Sequence, residues 1–261
     1  MSPPVPSAVP GVLVVTGGSR GIGAATARLA AAAGWAVAVN YRQDRDAAEA
    51  VVRELAAAGA RGLAVQADVS REPDVERLFR ESESELGEIT GLVNSAGING
   101  NQSTVADFHA DVLERLLAVN VLGTQLCCRE AVRRMSTRLG GRGGAIVNVS
   151  SMAATIGGRA GASDYAASKA AVDVFTVGLA KEVSGEGVRV NCLRPGMTMT
   201  DMTDALRRDE ELRARIEASI PMQRIAEADE IAKPIVWLLS EAASFISGAC
   251  MDASGGGFLV R

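Results

Sequence analysis

Seven short apolar runs alternate with longer helical patterns along this chain of 261 residues. This alternation is typical of βαβ units, in which helices connect neighbouring parallel strands. Several of the runs are apolar without interruption, as expected where helices cover both faces of a sheet. The sequence therefore predicts an α/β fold with a doubly wound (Rossmann) parallel sheet of seven strands in a single domain. The predicted strands are 12–16, 35–41, 61–66, 91–96, 144–150, 188–193 and 248–253, and the predicted helices are 21–33, 45–58, 72–86, 108–138, 163–184 and 228–240.

Local composition suggests where the domain begins and which segment departs from the pattern. Residues 1–10, MSPPVPSAVP, carry four prolines, and we expect a disordered tail before a domain over 11–261. Residues 197–222 follow the sixth predicted strand, at the carboxyl end of the sheet where ligands bind in such folds. This segment is charged and rich in Met. We favour a mobile substrate lid there, and an ordinary pair of surface helices is the alternative.

Composition argues against several classes of function. A net charge of −4 and a pI of about 5.3 leave no strongly basic face for nucleic acid. One histidine and four cysteines without a CxxC pair predict no metal site and no disulfide framework, and they favour a reducing compartment. The longest uncharged apolar run, 29–41, is too short to span a bilayer. We therefore expect a cytoplasmic protein that contacts neither membrane nor nucleic acid.

The segment TGGSRGIG, residues 16–23, lies between the first predicted strand and the first predicted helix. Its glycines permit a tight turn, a close backbone approach to phosphate and close packing of helix on strand. The free N–H groups and the positive end of the helix favour a pyrophosphate. A dinucleotide is therefore the expected ligand, whereas no GxxxxGK[ST] occurs to support an ATPase-type phosphate loop.

A second motif, YAASK, places Tyr165 and Lys169 four residues apart at the start of a predicted helix, so both project from one face. An ammonium beside a phenol favours the phenolate and lowers the pKa of the phenol. The tyrosine then serves as a general acid or base near neutral pH. A structural tyrosine beside a solvated lysine is the disfavoured alternative, because the chain has only two tyrosines and three lysines.

Together these motifs resemble the short-chain dehydrogenase/reductase family, in its compact one-domain branch, over almost the whole chain. The resemblance also rests on the pair Asp68-Val69 and on the motifs NSAG (94–97), VNVSS (147–151) and RPG (194–196). It implies an oxidoreductase that transfers a hydride between a nicotinamide cofactor and a carbonyl or alcohol. The cofactor provides the hydride chemistry, and the protein provides position and electrostatics.

The resemblance implies four catalytic residues, Asn120, Ser151, Tyr165 and Lys169. Ser151 would hydrogen-bond the substrate oxygen as charge builds there, and Tyr165 would pass a proton to or from that oxygen. Lys169 would lower the pKa of Tyr165 and hold the nicotinamide ribose. Asn120 would anchor a water that links Lys169 to solvent. Ser150 competes for the role of the serine, and the family pattern favours Ser151.

Cofactor contacts are implied mainly at residues that follow the predicted strands. Asp68 would accept a hydrogen bond from the adenine amino group, and Asn94, Ala96 and Gly97 would line the ribose side. Pro195, Gly196 and Thr198 would hold the nicotinamide amide. The full implied set is Gly17, Ser19, Arg20, Gly21, Ile22, Gly23, Arg42, Asp68, Val69, Asn94, Ala96, Gly97, Tyr165, Lys169, Pro195, Gly196 and Thr198.

NADP(H) is the expected form of the cofactor. In NAD-preferring members of the family, an acidic residue ends the second strand and accepts hydrogen bonds from the ribose hydroxyls. Here Tyr41 stands at that position, Arg42 follows it, and Arg20 approaches the same ribose from the glycine-rich turn. Two guanidinium groups favour a 2′-phosphate. Asp44 and Asp46 are expected to weaken the preference by competing for Arg42.

The substrate class stays open within the resemblance. A ketoreductase of 3-oxoacyl type is the leading hypothesis, and a glucose-type sugar dehydrogenase or a small-ketone reductase is the alternative. A non-catalytic dinucleotide-sensing regulator is disfavoured, because the serine, tyrosine, lysine and asparagine are all retained. Thirteen residues separate Ser151 from Tyr165, one more than the commonest family spacing, and we expect the extra residue to reshape the substrate pocket. The resemblance also implies a homotetramer that packs through helices 108–138 and 163–184.

Overall fold

A central parallel sheet organises the computed structural model, which describes residues 10–100 and 103–257. The strands, in chain order, are β1 (Val12–Thr16), β2 (Ala36–Tyr41), β3 (Gly62–Gln66), β4 (Ile89–Asn94), β5 (Gly144–Val149), β6 (Val188–Pro195), β7 (Thr198–Met199), β8 (Ala226–Glu227) and β9 (Cys250–Ala253). Seven of them form one sheet in the order β3-β2-β1-β4-β5-β6-β9, with every neighbouring pair parallel. β7 and β8 form a separate short pair. Residues 1–9 of the expected tail lie outside the described residues.

Helices cover both faces of this sheet. They are α1 (Gly21–Ala32), α2 (Arg45–Ala57), α3 (Glu72–Leu86), α4 (Ala110–Leu117), α5 (Gly123–Met135), α6 (Ala153–Ile156), α7 (Ser163–Val183), α8 (Ala205–Arg208), α9 (Glu210–Ser219) and α10 (Ala228–Leu239). On one face, α3, α5 and α7 pack around a buried cluster that includes Phe79. On the other, α1, α2 and α10 pack around a cluster that includes Ile235. The predicted seven-stranded doubly wound fold is therefore confirmed. Within the described part of the chain, no helix has the length and apolar character that a membrane span requires.

The strands form where the apolar runs predict them, with small shifts at their ends. β1 and β2 are buried at every position, which explains their unbroken apolar character. The strand predicted at 91–96 instead ends at Asn94, which is paired with Thr16 in β1. The next two N–H groups, of Ser95 and Ala96, donate to the hydroxyl of Thr16 rather than to a strand. A side-chain acceptor thus ends the strand and directs the chain out of the sheet.

The helix predicted at 108–138 is interrupted in the structure. α4 is followed by a π-helical turn at Ala118–Leu122, and α5 begins only after it. Asn120 lies buried in this turn, and its Oδ1 and Nδ2 bond the backbone N–H and carbonyl of Ile98 at 2.9 and 3.0 Å. Such π-bulges occur mostly at functional sites. The widened turn directs the amide of Asn120 toward the loop that follows β4.

Residues 197–222 form a small unit at the carboxyl end of the sheet. This unit contains β7, α8 and α9, and it has a separate apolar cluster that includes Leu206 and Ile220. None of the residues of α9 is buried. Thr200 lies against the glycine-rich turn, since a Cβ on Gly21 would approach its Cγ2 to 3.3 Å. The segment therefore packs on its own small core, beside the turn and apart from the two main clusters.

Candidate functional site

The carboxyl ends of four neighbouring strands bring the predicted site residues together. The glycine-rich turn follows β1, residues 95–97 follow β4, Ser151 follows β5, and residues 195–198 span the end of β6 and the start of β7. α7 contributes Tyr165 and Lys169, and the π turn contributes Asn120. The structure therefore gathers residues that are distant in sequence at one end of the sheet.

We call residues 17–23 the glycine cradle. Close contacts with neighbouring backbone explain why glycines occupy its tightest positions. Gly17 has a φ of +62°, and a Cβ there would lie 2.9 Å from the Cα of Ala96. A Cβ on Gly23 would lie only 2.2 Å from the carbonyl oxygen of Gly17. α1 begins at Gly21, and no described side chain caps it. Its first N–H groups and the positive helix end are therefore available to an anion.

Asn40, whose side-chain amide is buried in β2, fixes the cradle through hydrogen bonds. Its side-chain Oδ1 accepts a hydrogen bond from the N–H of Gly17 at 3.2 Å, and its backbone carbonyl oxygen accepts one from the N–H of Gly18 at 2.9 Å. Its Nδ2 donates to the carbonyl oxygen of Ala67 at 3.0 Å, which ties the cradle to the end of β3. Asn40 was not among the predicted site residues, although a polar side chain inside an apolar strand indicates a buried hydrogen-bonding role.

Two exposed arginines lie at the cradle, Arg20 within it and Arg42 directly after β2. Each lies near an aspartate. The guanidinium of Arg20 is 3.6 Å from the carboxylate of Asp201, and that of Arg42 is 3.9 Å from the carboxylate of Asp68. The arginine side chains are 66% and 50% exposed, so both pairs are weak and open to competition by another anion. Asp44, expected to compete for Arg42, instead caps α2 by accepting a backbone N–H at 3.0 Å.

Asp68 follows β3 and is held in its charged form. The hydroxyl of Ser70 donates to it at 2.7 Å, and the guanidinium of Arg115 donates at 2.8 Å. Burial raises the pKa of Asp68, but these hydrogen bonds outweigh burial and hold the pKa below its ordinary value. Val69 is buried beside it. Arg115 was not among the predicted residues, because its place beside Asp68 depends on how α4 packs.

The side chain of Asn94 is directed inward, not into the crevice between the strand ends. Its Nδ2 donates to the Oδ1 of Asn148 at 2.9 Å, and its own Oδ1 is buried without a hydrogen-bond partner among the described residues. Gly97, by contrast, lies in the site. A Cβ on Gly97 would lie 3.4 Å from the Nζ of Lys169. The expected lining role of Asn94 is thus restricted to its backbone.

The hydroxyl of Ser151 lies near the phenol of Tyr165 and acts on its pKa as a hydrogen-bond donor. Ser150 is buried, and its hydroxyl donates to the backbone carbonyl of Lys169 at 3.1 Å. The geometry therefore favours Ser151 as the partner of the tyrosine. Burial raises the pKa of Tyr165 above its ordinary value, and the hydrogen bond from Ser151 opposes this shift. The phenol is consequently protonated at neutral pH in the cofactor-free protein.

Lys169 places a buried ammonium beside Tyr165. Its Nζ donates to the carbonyl oxygen of Val149 at 2.9 Å and lies 5.8 Å from the centroid of the tyrosine ring. Burial lowers the pKa of Lys169 to about 8, and the nearby Cys192 and Asp173 oppose this shift. The expected depression of the Tyr165 pKa is not found in this arrangement. Burial of the phenol prevails, because the ammonium is directed to the Val149 carbonyl.

Residues 195–198 form the side of the site opposite the cradle. The carbonyl oxygen of Pro195 accepts a hydrogen bond from the N–H of Met152 at 3.0 Å. Gly196 packs so closely that a Cβ would lie 2.8 Å from the Cα of Ser254. Thr198 is buried, and its hydroxyl donates to the carbonyl oxygen of Gly196 at 3.1 Å. The site therefore combines an anion-binding turn with a proton-donating phenol, a hydroxyl and an ammonium.

Known proteins resemble this chain over nearly its full length. A family model described as enoyl-(acyl carrier protein) reductase, adh_short_C2, matches residues 17–257. The uncharacterized oxidoreductase YgfF of Escherichia coli is 47% identical over 245 residues, which cover 94% of this chain and 99% of that protein. The 3-oxoacyl-[acyl-carrier-protein] reductase FabG of Staphylococcus aureus is 35% identical over 246 residues, which cover 94% and 97%.

Solved structures share the fold at similar identity. A short chain dehydrogenase from Burkholderia cenocepacia, in complex with NADP, superposes with a TM-score of 0.86 at 34% sequence identity. The match covers 95% of this chain and 97% of that chain. The sheet and the helices thus have the arrangement of a known group of enzymes.

We predict that Lys169 makes the stability of the cofactor-free protein depend on pH. The unfolded chain keeps this proton up to the ordinary pKa of 10.5, whereas the folded protein releases it at about 8. Between these values the unfolded chain binds more protons, so the free energy of unfolding rises with pH. Denaturant unfolding at about pH 7 and about pH 10 should show wild type gaining on the order of 2 kcal/mol relative to Lys169→Met. An equal difference between the two proteins at both pH values would contradict the buried ammonium.

Proposed function

Because the chain belongs to the short-chain dehydrogenase/reductase family of oxidoreductases, we propose that it is an NADP(H)-dependent ketoreductase of 3-oxoacyl type. The observation that carries the proposal is the grouping of Ser151 and Tyr165 beside the buried ammonium of Lys169, whose Nζ lies 5.8 Å from the centroid of the tyrosine ring. Members of this family use a nicotinamide cofactor to interconvert carbonyls and alcohols. The three side chains are the groups that such a reaction needs at the substrate oxygen.

The glycine cradle fits the pyrophosphate of a dinucleotide. Side chains at Gly17 or Gly23 would clash with neighbouring backbone, and α1 presents uncapped N–H groups to the same space. The cofactor, when bound, supplies or accepts the hydride. In this proposal Gly17, Ser19, Arg20, Gly21, Ile22 and Gly23 hold the phosphates, Asp68 and Val69 the adenine, Asn94, Ala96 and Gly97 the ribose side, and Pro195, Gly196 and Thr198 the nicotinamide amide.

Tyr165 holds and transfers the proton in this proposal. Its phenol is protonated in the cofactor-free protein and is therefore ready to donate to a carbonyl oxygen. Ser151, which lies near the phenol, would donate to the same substrate oxygen and stabilise the charge that develops on it. In this proposal the ammonium of Lys169, which donates to the Val149 carbonyl in the cofactor-free protein, would turn toward the phenolate that remains and stabilise it. Asn120 lies beside that ammonium and would anchor a water that returns the proton.

Removal of the phenol hydroxyl tests the mechanism. Tyr165→Phe should lower kcat by about 10²–10⁴-fold, because the single proton-transfer group is lost while the ring still packs. Its Kd for NADPH should stay near the wild-type value, whereas Lys169→Met should weaken both turnover and NADPH binding. NADPH oxidation with a 3-oxoacyl thioester and a fluorescence titration with NADPH measure the two quantities.

Two neighbouring serines provide the matched control for that experiment. Ser151→Ala should lower kcat strongly, whereas Ser150→Ala removes a hydroxyl that does not contact the phenol and should retain most activity. A Tyr165→Phe protein that kept more than a tenth of the wild-type kcat would overturn the mechanism.

The preference for NADP(H) rests on the two arginines that flank the cradle. No carboxylate stands at position 41, where Tyr41 is buried, to repel a 2′-phosphate. Arg20 and Arg42 are mostly exposed, and their weak aspartate pairs leave the guanidinium groups available to a phosphate. The NADP complex of the Burkholderia cenocepacia structure supports this choice by similarity.

Cofactor kinetics test this preference. Wild type should show at least a hundredfold higher kcat/KM with NADPH than with NADH, since two charge-assisted contacts contribute about 1.5–3 kcal/mol each. Arg20→Ala and Arg42→Ala should each reduce that ratio mainly by weakening NADPH. Arg28→Ala is the matched control, because Arg28 pairs with Glu54 on the outer side of α1. Equal or better use of NADH by wild type would refute the assignment.

The 3-oxoacyl class is the substrate class that similarity favours, since a 3-oxoacyl-[acyl-carrier-protein] reductase is 35% identical over nearly the whole chain. Sugars and small ketones are the other candidates. A spectrophotometric panel separates them: NADPH oxidation with 3-oxoacyl thioesters and simple ketones, and NADP⁺ reduction with glucose-type sugars. Turnover of any of them excludes a purely cofactor-sensing protein.

We also propose that residues 197–222 act as a substrate lid. The segment has its own small apolar cluster and an exposed α9, and it contacts the cradle through Thr200 and Asp201. Its movement would therefore leave the two main cores intact. Hydrogen exchange of this segment should be fast in the free protein and slower with NADPH and substrate. Strong protection in the free protein would contradict the lid.

A homotetramer is proposed from the outer faces of α5 and α7. A groove of about 320 Å³ lies between these helices and is lined both by apolar residues such as Val132, Phe175 and Leu179 and by charged residues such as Arg129 and Glu182. Val174 on α7 is 74% exposed. These apolar surfaces support packing through the helices that the sequence indicated at 108–138 and 163–184. The cytoplasmic location stays a prediction.

A further inference from the structure

Two cysteines and one aspartate meet at a place that the proposed reaction does not use. Cys192 in β6 and Cys250 in β9 are directly opposed in the strand register, and Asp173 of α7 lies over them. One sulfur or oxygen atom of each residue lies within 4.8 Å of the other two. Cys192 and Asp173 are buried, and Cys250 is partly exposed. We call these three residues the thiol cluster.

We propose that the thiol cluster binds one thiophilic divalent cation, such as Zn²⁺ or Cd²⁺. Thiolate sulfur and carboxylate oxygen are ordinary ligands of such ions, and Zn–S bonds of about 2.3 Å in a tetrahedron separate two sulfurs by about 3.7 Å. The present separations are close enough for small side-chain rotations to reach that geometry. Three protein ligands leave the fourth position to water.

Arg194 orients the aspartate for this role. Its Nε donates to the Oδ2 of Asp173 at 2.8 Å, which leaves Oδ1 to accept a hydrogen bond from the Sγ of Cys192 at 3.1 Å. The second oxygen is therefore already directed at a sulfur. Metal-binding carboxylates are commonly held in this way by a hydrogen bond to the other oxygen.

The charges also balance. With both thiols protonated before binding, the cluster carries the one charge of the Asp173 carboxylate, which pairs with Arg194 at 2.8 Å, and Arg194 also pairs with Asp252 at 3.3 Å. Binding forms two metal–sulfur bonds and one metal–oxygen bond, and each thiol releases one proton to solvent. Two positive charges enter with the cation and two leave as protons, so the buried net charge is unchanged.

The strand register opposes the two cysteines on neighbouring strands. Neighbouring strands lie about 4.7–4.9 Å apart, and side chains opposed on parallel strands project side by side. This spacing suits a bridging cation, and it also lies within the range of about 4.4–6.8 Å between Cα atoms that a disulfide requires. Mild oxidation of the metal-free protein therefore distinguishes the two.

The cluster is accessible from one side. β9 is the last strand of the sheet, and Cys250 is partly exposed there, which provides an entry path for an ion. Asp173 lies one helical turn beyond Lys169 in α7. The thiol cluster therefore lies farther from the strand ends than the ammonium does, outside the crevice of the proposed cofactor site. The inference is independent of the proposed substrate and cofactor.

A Cd²⁺ titration of the full chain tests the proposal, after reduction with a phosphine and removal of metals with a chelator. Wild type should develop a saturable ultraviolet sulfur-to-metal charge-transfer band with one equivalent of Cd²⁺, and its Tm should rise. Cys250→Ser should bind at least about tenfold more weakly and lose about half of the band. Asp173→Asn should also bind more weakly but keep the band at saturation. Cys127→Ala, which removes a buried thiol outside the cluster, should behave as wild type.

Near-ultraviolet circular dichroism verifies that each variant is folded. If Cys250→Ser does not fold, the titration of Asp173→Asn tests the proposal in its place. Absence of a saturable band in wild type would overturn the proposal. An unchanged band and affinity in folded Cys250→Ser would do the same. Formation of a Cys192–Cys250 disulfide by mild peroxide in a protein that binds no Cd²⁺ would assign the pair to redox chemistry instead.

Discussion

The junction of β1 and β4 is the contact on which the site depends. The hydroxyl of Thr16 accepts hydrogen bonds from the N–H groups of Ser95 and Ala96, each at 3.1 Å, and Gly17 packs against the backbone of Ala96. The strand order reverses between these two strands, so their following segments leave in opposite directions and a crevice opens between them. A larger residue at position 17 would separate the strand ends. Binding by the cradle and packing of the sheet therefore need the same small residue.

α7 connects the two chemical centres of the protein. Its first turns place Tyr165 and Lys169 at the carboxyl end of the sheet, and the next turn places Asp173 against Cys192. Burial lowers the pKa of Lys169, while the nearby Cys192 and Asp173 oppose that shift. The charge on the ammonium thus depends on residues outside the crevice. A cation that leaves the net charge of the thiol cluster unchanged is compatible with this electrostatic support.

Weak ion pairs connect the cradle to its surroundings. Arg20 pairs with Asp201 at the start of the 197–222 unit, and Arg42 pairs with Asp68, which Arg115 holds more closely. Exposed pairs at these distances contribute little to stability, so a phosphate can replace the aspartates at small cost. Arg20 therefore relates the position of the proposed lid to occupation of the cradle.

The sequence by itself determined the seven-stranded fold, the glycine cradle and the pair of Tyr165 and Lys169, because these depend on local periodicity and on short motifs. The place of Ser151 beside that pair was implied by the family resemblance. Only the tertiary structure decided what depends on distant packing: the π turn at Asn120, the inward side chain of Asn94 and the raised pKa of Tyr165. The thiol cluster belongs to this second group. Asp173, Cys192 and Cys250 match no local metal-binding spacing, and the parallel register of β6 and β9 brings them together.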